Sequence, residues 1–226
     1  MIKLTYFNAR GRAEHAHFML ELAGVPYERE GITIEQWAGP DGKQRYLERT
    51  PFGQLPMLHD GDLILCQSRA IHRYLARKLG FYGETIQDAA RVDEVWESVD
   101  EIFADIAGFH WNPKFHETRP QHREAMRAKL ALLQRYFART RVDAEHWVLP
   151  GRYTLADVAA AYTLESTLML HPGLVSELPE LERFMRAFFA TKGVREYVRS
   201  ERRYRTFTVS IAQFAGKPEE THHWTD

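Results

Sequence analysis

One cysteine, Cys66, stands in 226 residues. A single thiol excludes a disulfide framework within the chain, which fits a reducing compartment and leads us to expect a cytoplasmic protein. Charge of one sign is missing too. Thirty Lys and Arg against 31 Asp and Glu leave a formal net charge of -1, so there is no electrostatic footprint for nucleic acid or an anionic membrane surface. No apolar run approaches the ~20 residues of a membrane span, and the first residues lack the apolar core of a secretion signal. Neither nucleic acid nor membrane is expected as a partner. His15 and His17, His110 and His116, and His222-His223 each lack a second ligand pair at recognisable spacing, so no metal is expected. There is no internal repeat and no low-complexity segment. The 44% hydrophobic content is that of a globular protein, and the length allows one sizeable domain or two small ones.

Periodicity divides the chain in two. "IKLTYF" places Ile2, Leu4 and Tyr6 on one face of a strand over 2–7, and Gly11 opens a helix running to Gly24. Pro26 ends that helix and predicts a second strand from about Tyr27. The stretch from Thr33 reads as irregular because Gly39, Pro40 and Gly42 crowd together, with a short helix only over "KQRYLER". "LPMLHDGDLILC" predicts a hairpin turning at Asp60-Gly61. "QSRAIHRYLARKLG" predicts a helix stopped by Gly80. The order β-α-β-α-β-β-α describes an α/β sheet of about four strands over residues 1–80, matching a thioredoxin-like fold. After a linker at 81–87, residues 88–226 read as a helical bundle domain whose end, "GKPEETHHWTD", looks loose, the tail from Arg203 to Asp226 reading either as a cover over a pocket or as free. "YTLADV" carries a complete helix start, with Thr154 and Asp157 spaced as a capping box and Tyr153 placed to staple against Val158. The fold class is therefore α/β plus all-α.

In a redox member of the thioredoxin-like class, the turn after the first strand carries a reactive cysteine. Here that turn is "TYFNARGRAE", which has no sulfur, so any thiol chemistry needs a thiol brought by a ligand. Three segments, "KLTYFNARGRAE", "PFGQLPML" and "LCQSRAIHRYLARKLGFYGE", resemble the glutathione S-transferases. Among them the resemblance is to the sigma class, to which haematopoietic prostaglandin D synthase belongs. It implies glutathione as co-substrate, a homodimer, and an active site in the cleft between the two domains.

The resemblance implies catalytic roles for Tyr6 and Arg12. The Tyr6 hydroxyl would donate to the glutathione sulfur and favour thiolate, while Arg12 would add a fixed positive charge beside it. Taken alone, Tyr6 reads as a half-buried strand tyrosine, a reading that "FNARGRAE" after it reverses, and Arg12 reads equally as a surface arginine or a partner of Glu14. Arg10 reads as solvated. Glutathione has two carboxylates and an ammonium, so its site needs main-chain pairing in the middle and charged ends. Gln54, Leu55 and Pro56 align with the pairing segment, where the family holds the proline cis. Gln67 and Ser68, at a helix start, match the γ-glutamyl carboxylate site. Trp37 and Lys43 match residues at the glycine end. Asp100 matches an acid that the family extends from the partner subunit to the ligand's ammonium.

Phe7, Ala9, Phe103, Ala107 and Trp111 are candidates for a hydrophobic co-substrate pocket, although the stripe through Phe103 reads equally as core. Glu97, Asp100 and Glu101 share a helix face, and a solvated acidic face is the reading we carry forward. Cys66 reads as a small buried hydrophobe. The chain is thus expected to be an enzyme that conjugates glutathione to small hydrophobic electrophiles. A glutathione-dependent isomerase of the prostaglandin D type and a non-enzymatic scaffold of the same fold are the alternatives.

Overall fold

The computed structural model describes residues 1–50, 52–140 and 146–224. Strand β1 (Ile2–Phe7) buries Ile2 and Leu4. Helix α1 (Glu14–Leu22), entered through a 3-10 turn at Gly11–Ala13, carries the chain back to β2 (Tyr27–Ile32), which lies parallel to β1. This is the βαβ crossover that a parallel pair requires. Two short helices, α2 (Ile34–Ala38) and α3 (Gly42–Leu47), precede β3 (Met57–Asp60) and β4 (Leu63–Cys66). Both pairings β1–β3 and β3–β4 are antiparallel, and the sheet order is β2-β1-β3-β4. Helix α4 (Ser68–Leu79) follows and stops at Gly80, whose φ is +84°.

Two local readings are corrected. The stretch from Thr33, expected as irregular, contains α2, because the Thr33 hydroxyl accepts the Gln36 amide and the Gln36 side chain accepts the Thr33 amide. That reciprocal cap outweighs the glycines and proline that follow it. The hairpin turns one residue later than expected. Asp60 still pairs with Leu63, so Gly61 and Asp62 form the corner and Gly61 alone takes positive φ, at +61°.

The helical part consists of α5 (Ile86–Phe109), α6 (Phe115–Thr140), α7 (Leu155–Leu170), α8 (Pro179–Ala190) and α9 (Val194–Arg199). Helix α7 packs against α1, α5 and α8. All its residues but Leu168 are buried, as expected of a helix with little polar face. The helical segment from Pro179 to Ser200 is broken into α8 and α9 at Gly193, where φ is +87° and a Cβ would come within 2.7 Å of the Glu21 carbonyl oxygen. Close approach to α1, which no periodicity reports, requires the glycine. No helix of the described residues is long and apolar enough to cross a membrane.

The tail is not loose. Its Thr206 and Phe207 carbonyls accept the Arg10 and Gly11 amides at 2.9 and 2.8 Å. Near its end Trp224 stacks on Phe189. Its last residues, Thr225 and Asp226, lie outside the described residues. Arg10, read as solvated, is fully buried beneath this segment. With no helix or strand period, the tail gave no sequence signal for burial.

The start of α7 carries the Thr154–Asp157 capping box expected from the sequence. The Asp157 carboxylate accepts the Trp147 amide at 2.9 Å, the Thr154 amide at 2.8 Å and the Thr154 hydroxyl at 2.6 Å, all without exposure to solvent. Asp157→Ala leaves those buried donors unpaired and is expected to destabilise the chain by about 2–4 kcal/mol. The check is the urea unfolding midpoint, and an unchanged midpoint would refute the role given to this cap.

Candidate active site

Tyr6 sits near the end of the central strand. Its Cα neighbour on β2 is Gly31, while the preceding Thr5 is paired with Met57 at the start of β3. The chain leaves β1 through Asn8-Ala9-Arg10 and turns into α1 so that the Arg12 amide donates to the Tyr6 hydroxyl oxygen at 3.2 Å. This approach depends on Gly11. Its φ is +37°, and a Cβ there would lie 2.6 Å from the Tyr6 oxygen. Burial pushes the Tyr6 hydroxyl above its ordinary pKa, offset in part by the Arg12 amide and the Arg12 charge. The group is therefore a neutral donor at physiological pH, with its proton free to point away from the accepting lone pair.

The alternative partner proposed for Arg12 is unavailable. Glu14 is buried and holds Arg203 at 2.6 Å and the Tyr197 hydroxyl at 3.2 Å. The Arg12 guanidinium has no ion pair among the described residues and lines the same cavity as Tyr6. The Arg12 carbonyl is held from behind by His72 Nε2 at 3.0 Å. Burial lowers the His72 pKa to about 3, so the ring is neutral and donates through Nε2–H.

The cavity at Tyr6 measures about 400 Å³ and lies between the two parts of the chain. Phe7, Ala9, Trp37, Ala107 and Trp111 line it together with Tyr6 and Arg12. Phe7 and Trp37 meet edge to face at 5.5 Å, and Trp37 stacks on Tyr46. Trp111 is 46% exposed, at the rim. Phe103 is not in this wall. It is 1% exposed and packs on His15, Tyr162 and Phe207, so the core reading of that stripe holds at this position. Its neighbour on the helix, Ala104, faces the cavity instead. The sequence reading missed Ile34 and Gly108, and it left open whether the tail covers the pocket without naming Phe207, Thr208 and Val209, which line it. Ile34 was detectable from the Thr33–Gln36 cap, whereas the three tail residues carry no pattern.

A second group of candidates adjoins the first through the β1–β3 pairing. Leu55–Pro56 is a cis peptide leading into β3, and Leu55 makes no main-chain hydrogen bond to another described residue. The Met57–Cys66 pairing brings the flanking Gln54 and Gln67 together, and the Gln67 amide donates to Gln54. Gln67 has φ +72°, a conformation that costs a non-glycine residue of order 1–3 kcal/mol. Helix α4 begins at the next residue, Ser68. Lys43 is exposed on α3 and lies outside the wall of the Tyr6 cavity.

Asp100 is 3% exposed and ion-paired with Arg69 of the same chain, next to Ser68. The other two acids of the trio are paired as well, Glu97 with Arg73 and Glu101 with Lys129. Glu97 and Glu101 remain exposed, as expected of a solvated acidic face, and only Asp100 departs from it by being buried. Cys66 is buried. No group of three or more metal-ligating side chains occurs among the described residues.

Comparison with known proteins follows the same lines. Residues 2–77 match the family description "Glutathione S-transferase, N-terminal domain", and residues 82–192 match "Glutathione S-transferase, C-terminal domain". "Glutathione S-transferase 1" of Ascaris suum is 30% identical over 190 residues, covering 81% of this chain and 88% of the relative. "Glutathione S-transferase P" of Caenorhabditis elegans is 29% identical, covering 87% and 91%. The Pi-class glutathione S-transferase structure of Onchocerca volvulus superposes with a TM-score of 0.78 at 26% identity, covering 87% of this chain and 91% of that one. The Ascaris lumbricoides glutathione S-transferase gives 0.75 at 29%, covering 88% and 96%. These names do not support the sigma class expected from the resemblance. The chain belongs to the glutathione S-transferase family.

Proposed function

We propose that this chain is a glutathione transferase in which Tyr6 ionises the glutathione thiol and the thiolate attacks a small hydrophobic electrophile. The observation that carries the reading is the Tyr6 hydroxyl, held at the rim of a mixed apolar cavity by the Arg12 amide, in a turn without sulfur of its own. A thiol with the ordinary pKa of ~8.5 is a few per cent ionised at neutral pH, and lowering it by about two units takes roughly 2.7 kcal/mol of preferential thiolate stabilisation. Two groups supply it here. The neutral Tyr6 hydroxyl donates to sulfur, its acidity enhanced by the amide donating into the same oxygen, and the unpaired Arg12 charge acts across the cavity. The thiol proton leaves to solvent, the sulfur lone pair forms the new C–S bond, and the leaving group or π-electron pair of the electrophile takes up the charge.

Glutathione then lies along the second group. Leu55 pairs main chain to main chain with the cysteinyl unit, as an added strand at the β3 entrance. Gln54, Gln67 and Ser68 receive the γ-glutamyl end at the α4 N-terminus. Trp37 and Lys43 take the glycine end, Pro56 sets the strand entry, and Asp100 of the partner subunit receives the ammonium in exchange for its buried contact with Arg69. Phe7, Ala9, Ala107 and Trp111 face the electrophile. The class is read from the relatives' names as Pi-like rather than sigma.

The homodimer in this reading rests on two exposed apolar features. Phe52 is 61% exposed, and a groove of about 280 Å³ between α5 and α6 is lined by Val95, Ile102, Leu132 and Leu133. A two-fold axis lets each chain offer its own knob to the other's groove.

In Tyr6→Phe, the bound thiol is expected to titrate one to two units higher, and kcat/KM at neutral pH to fall about 10- to 100-fold. Ultraviolet absorbance of bound thiolate against pH is the measurement. An unmoved titration removes the role of Tyr6, and absence of glutathione binding in wild type favours a scaffold. For the dimer, Phe52→Ser is expected to shift sedimentation from dimer to monomer. A monomeric wild type would refute the two-fold assembly.

A further inference from the structure

Three successive amides follow the first strand into its helix. The Arg10 amide donates to the Thr206 carbonyl, the Gly11 amide to the Phe207 carbonyl, and the Arg12 amide to the Tyr6 hydroxyl. The first two thus tie the active-site loop to the C-terminal segment, and the third acts on the tyrosine. The Arg10 side chain strengthens the same attachment. Fully buried, its guanidinium donates to the Tyr204 carbonyl at 2.9 Å, the Arg205 carbonyl at 3.3 Å and the His222 carbonyl at 2.9 Å, and lies 3.7 Å from Glu165. One side chain therefore gathers both ends of the segment from 204 to 222 onto the loop. Glu165 is held independently by a bidentate contact from Arg203, at 2.6 and 2.9 Å, and accepts the Trp224 indole N–H at 2.7 Å. Between those anchors, Phe207, Thr208 and Val209 form the tail's side of the Tyr6 cavity.

We propose that Arg10 is a positioning residue: it staples residues 204–222 to the active-site loop, which sets the aim of the Arg12 amide on Tyr6 and holds the tail's wall against the electrophile. The inference rests on the transferase reading above and extends it to a residue and a segment remote from the reacting sulfur. A single side chain couples two properties, thiol ionisation and electrophile size. The fork geometry matters more than the charge. A lysine retains a cation near Glu165, but its point charge cannot reach three carbonyls spread over the tail.

The test compares wild type, Arg10→Lys and Trp224→Leu by thiolate titration with glutathione and by KM and kcat for a small and a bulky halogenated aromatic electrophile. Trp224→Leu loosens the tail's end without touching residues 6–12. In Arg10→Lys the thiol pKa is expected to rise by about one unit, roughly tenfold less thiolate at a given pH below it. KM for the bulky electrophile should fall relative to that for the small one as the wall relaxes. Trp224→Leu should move both in the same directions by less, so the proposal stays testable if Arg10→Lys does not fold. Wild-type titration and wild-type size preference in a folded Arg10→Lys, or in Trp224→Leu if that is the only folded variant, would overturn it. A wild type that ionises no thiol would remove the transferase reading and this inference together, whereas an ionising wild type with unmoved variants removes this inference alone.

Discussion

Four buried charges hold the two halves of this protein in register. Arg10 and Glu14 come from the active-site loop and α1, Glu165 from the middle of α7, and Arg203 from the start of the tail. Each ion costs several kcal/mol to bring out of water, and only mutual contact at hydrogen-bond distance offsets that cost. The set is neutral overall and closely bonded. Burial pushes the Glu165 carboxyl up, but the Arg203 and Arg10 charges more than compensate and leave it below its ordinary pKa. Arg203 is raised, since Glu165 and Glu14 outweigh its burial. Such a set adds little net stability compared with apolar packing. Its effect is on geometry, because displacing one segment leaves a buried charge without a partner.

The cavity depends on that registry. Its walls come from β1 and α2 on one side, α5 on another and the tail on a third, so no single element shapes it. The surrounding electrostatics are arranged to leave the tyrosine neutral. Burial keeps the His72 and His110 pKa values at about 3 and that of His15 well below its ordinary value. At neutral pH the positive charge near Tyr6 therefore comes from Arg12, while His72 serves as a neutral hydrogen-bond donor and His15 and His110 pack against aromatic rings. A ligand's thiol placed there would be the group left to titrate in the neutral range.

Local chemistry accounts for most of what could be read from the chain. Strand β1, the existence of the hairpin, the stop at Gly80 and the Thr154–Asp157 cap each depend on residues a few positions apart, so pattern and outcome agree. The exceptions have local causes too. Helix α2 is set by the Thr33–Gln36 cap despite the glycines beyond it, and the hairpin corner lies one residue on because Asp60 still pairs with Leu63. The break between α8 and α9 is different in kind. Gly193 is required by the carbonyl of Glu21, which lies far away in the sequence.

The candidate site divides along the same line. Tyr6 and Arg12 are named through the resemblance carried by one short motif, and the strand-turn-helix geometry that presents them is local, whereas Trp37 comes from the resemblance alone. Phe103 could not be separated from Ala104 without knowing how α5 is rotated against α7, and the role of Arg10 could not be seen without the tail that covers it. The chain's own pattern was sufficient for the sheet, the helical half and a sulfur-free turn that fits a borrowed thiol. The cavity wall, the burial of Arg10 and the aim of the Arg12 amide arose only on folding, because they are made by residues nearly two hundred positions apart, where neither periodicity nor spacing carries information.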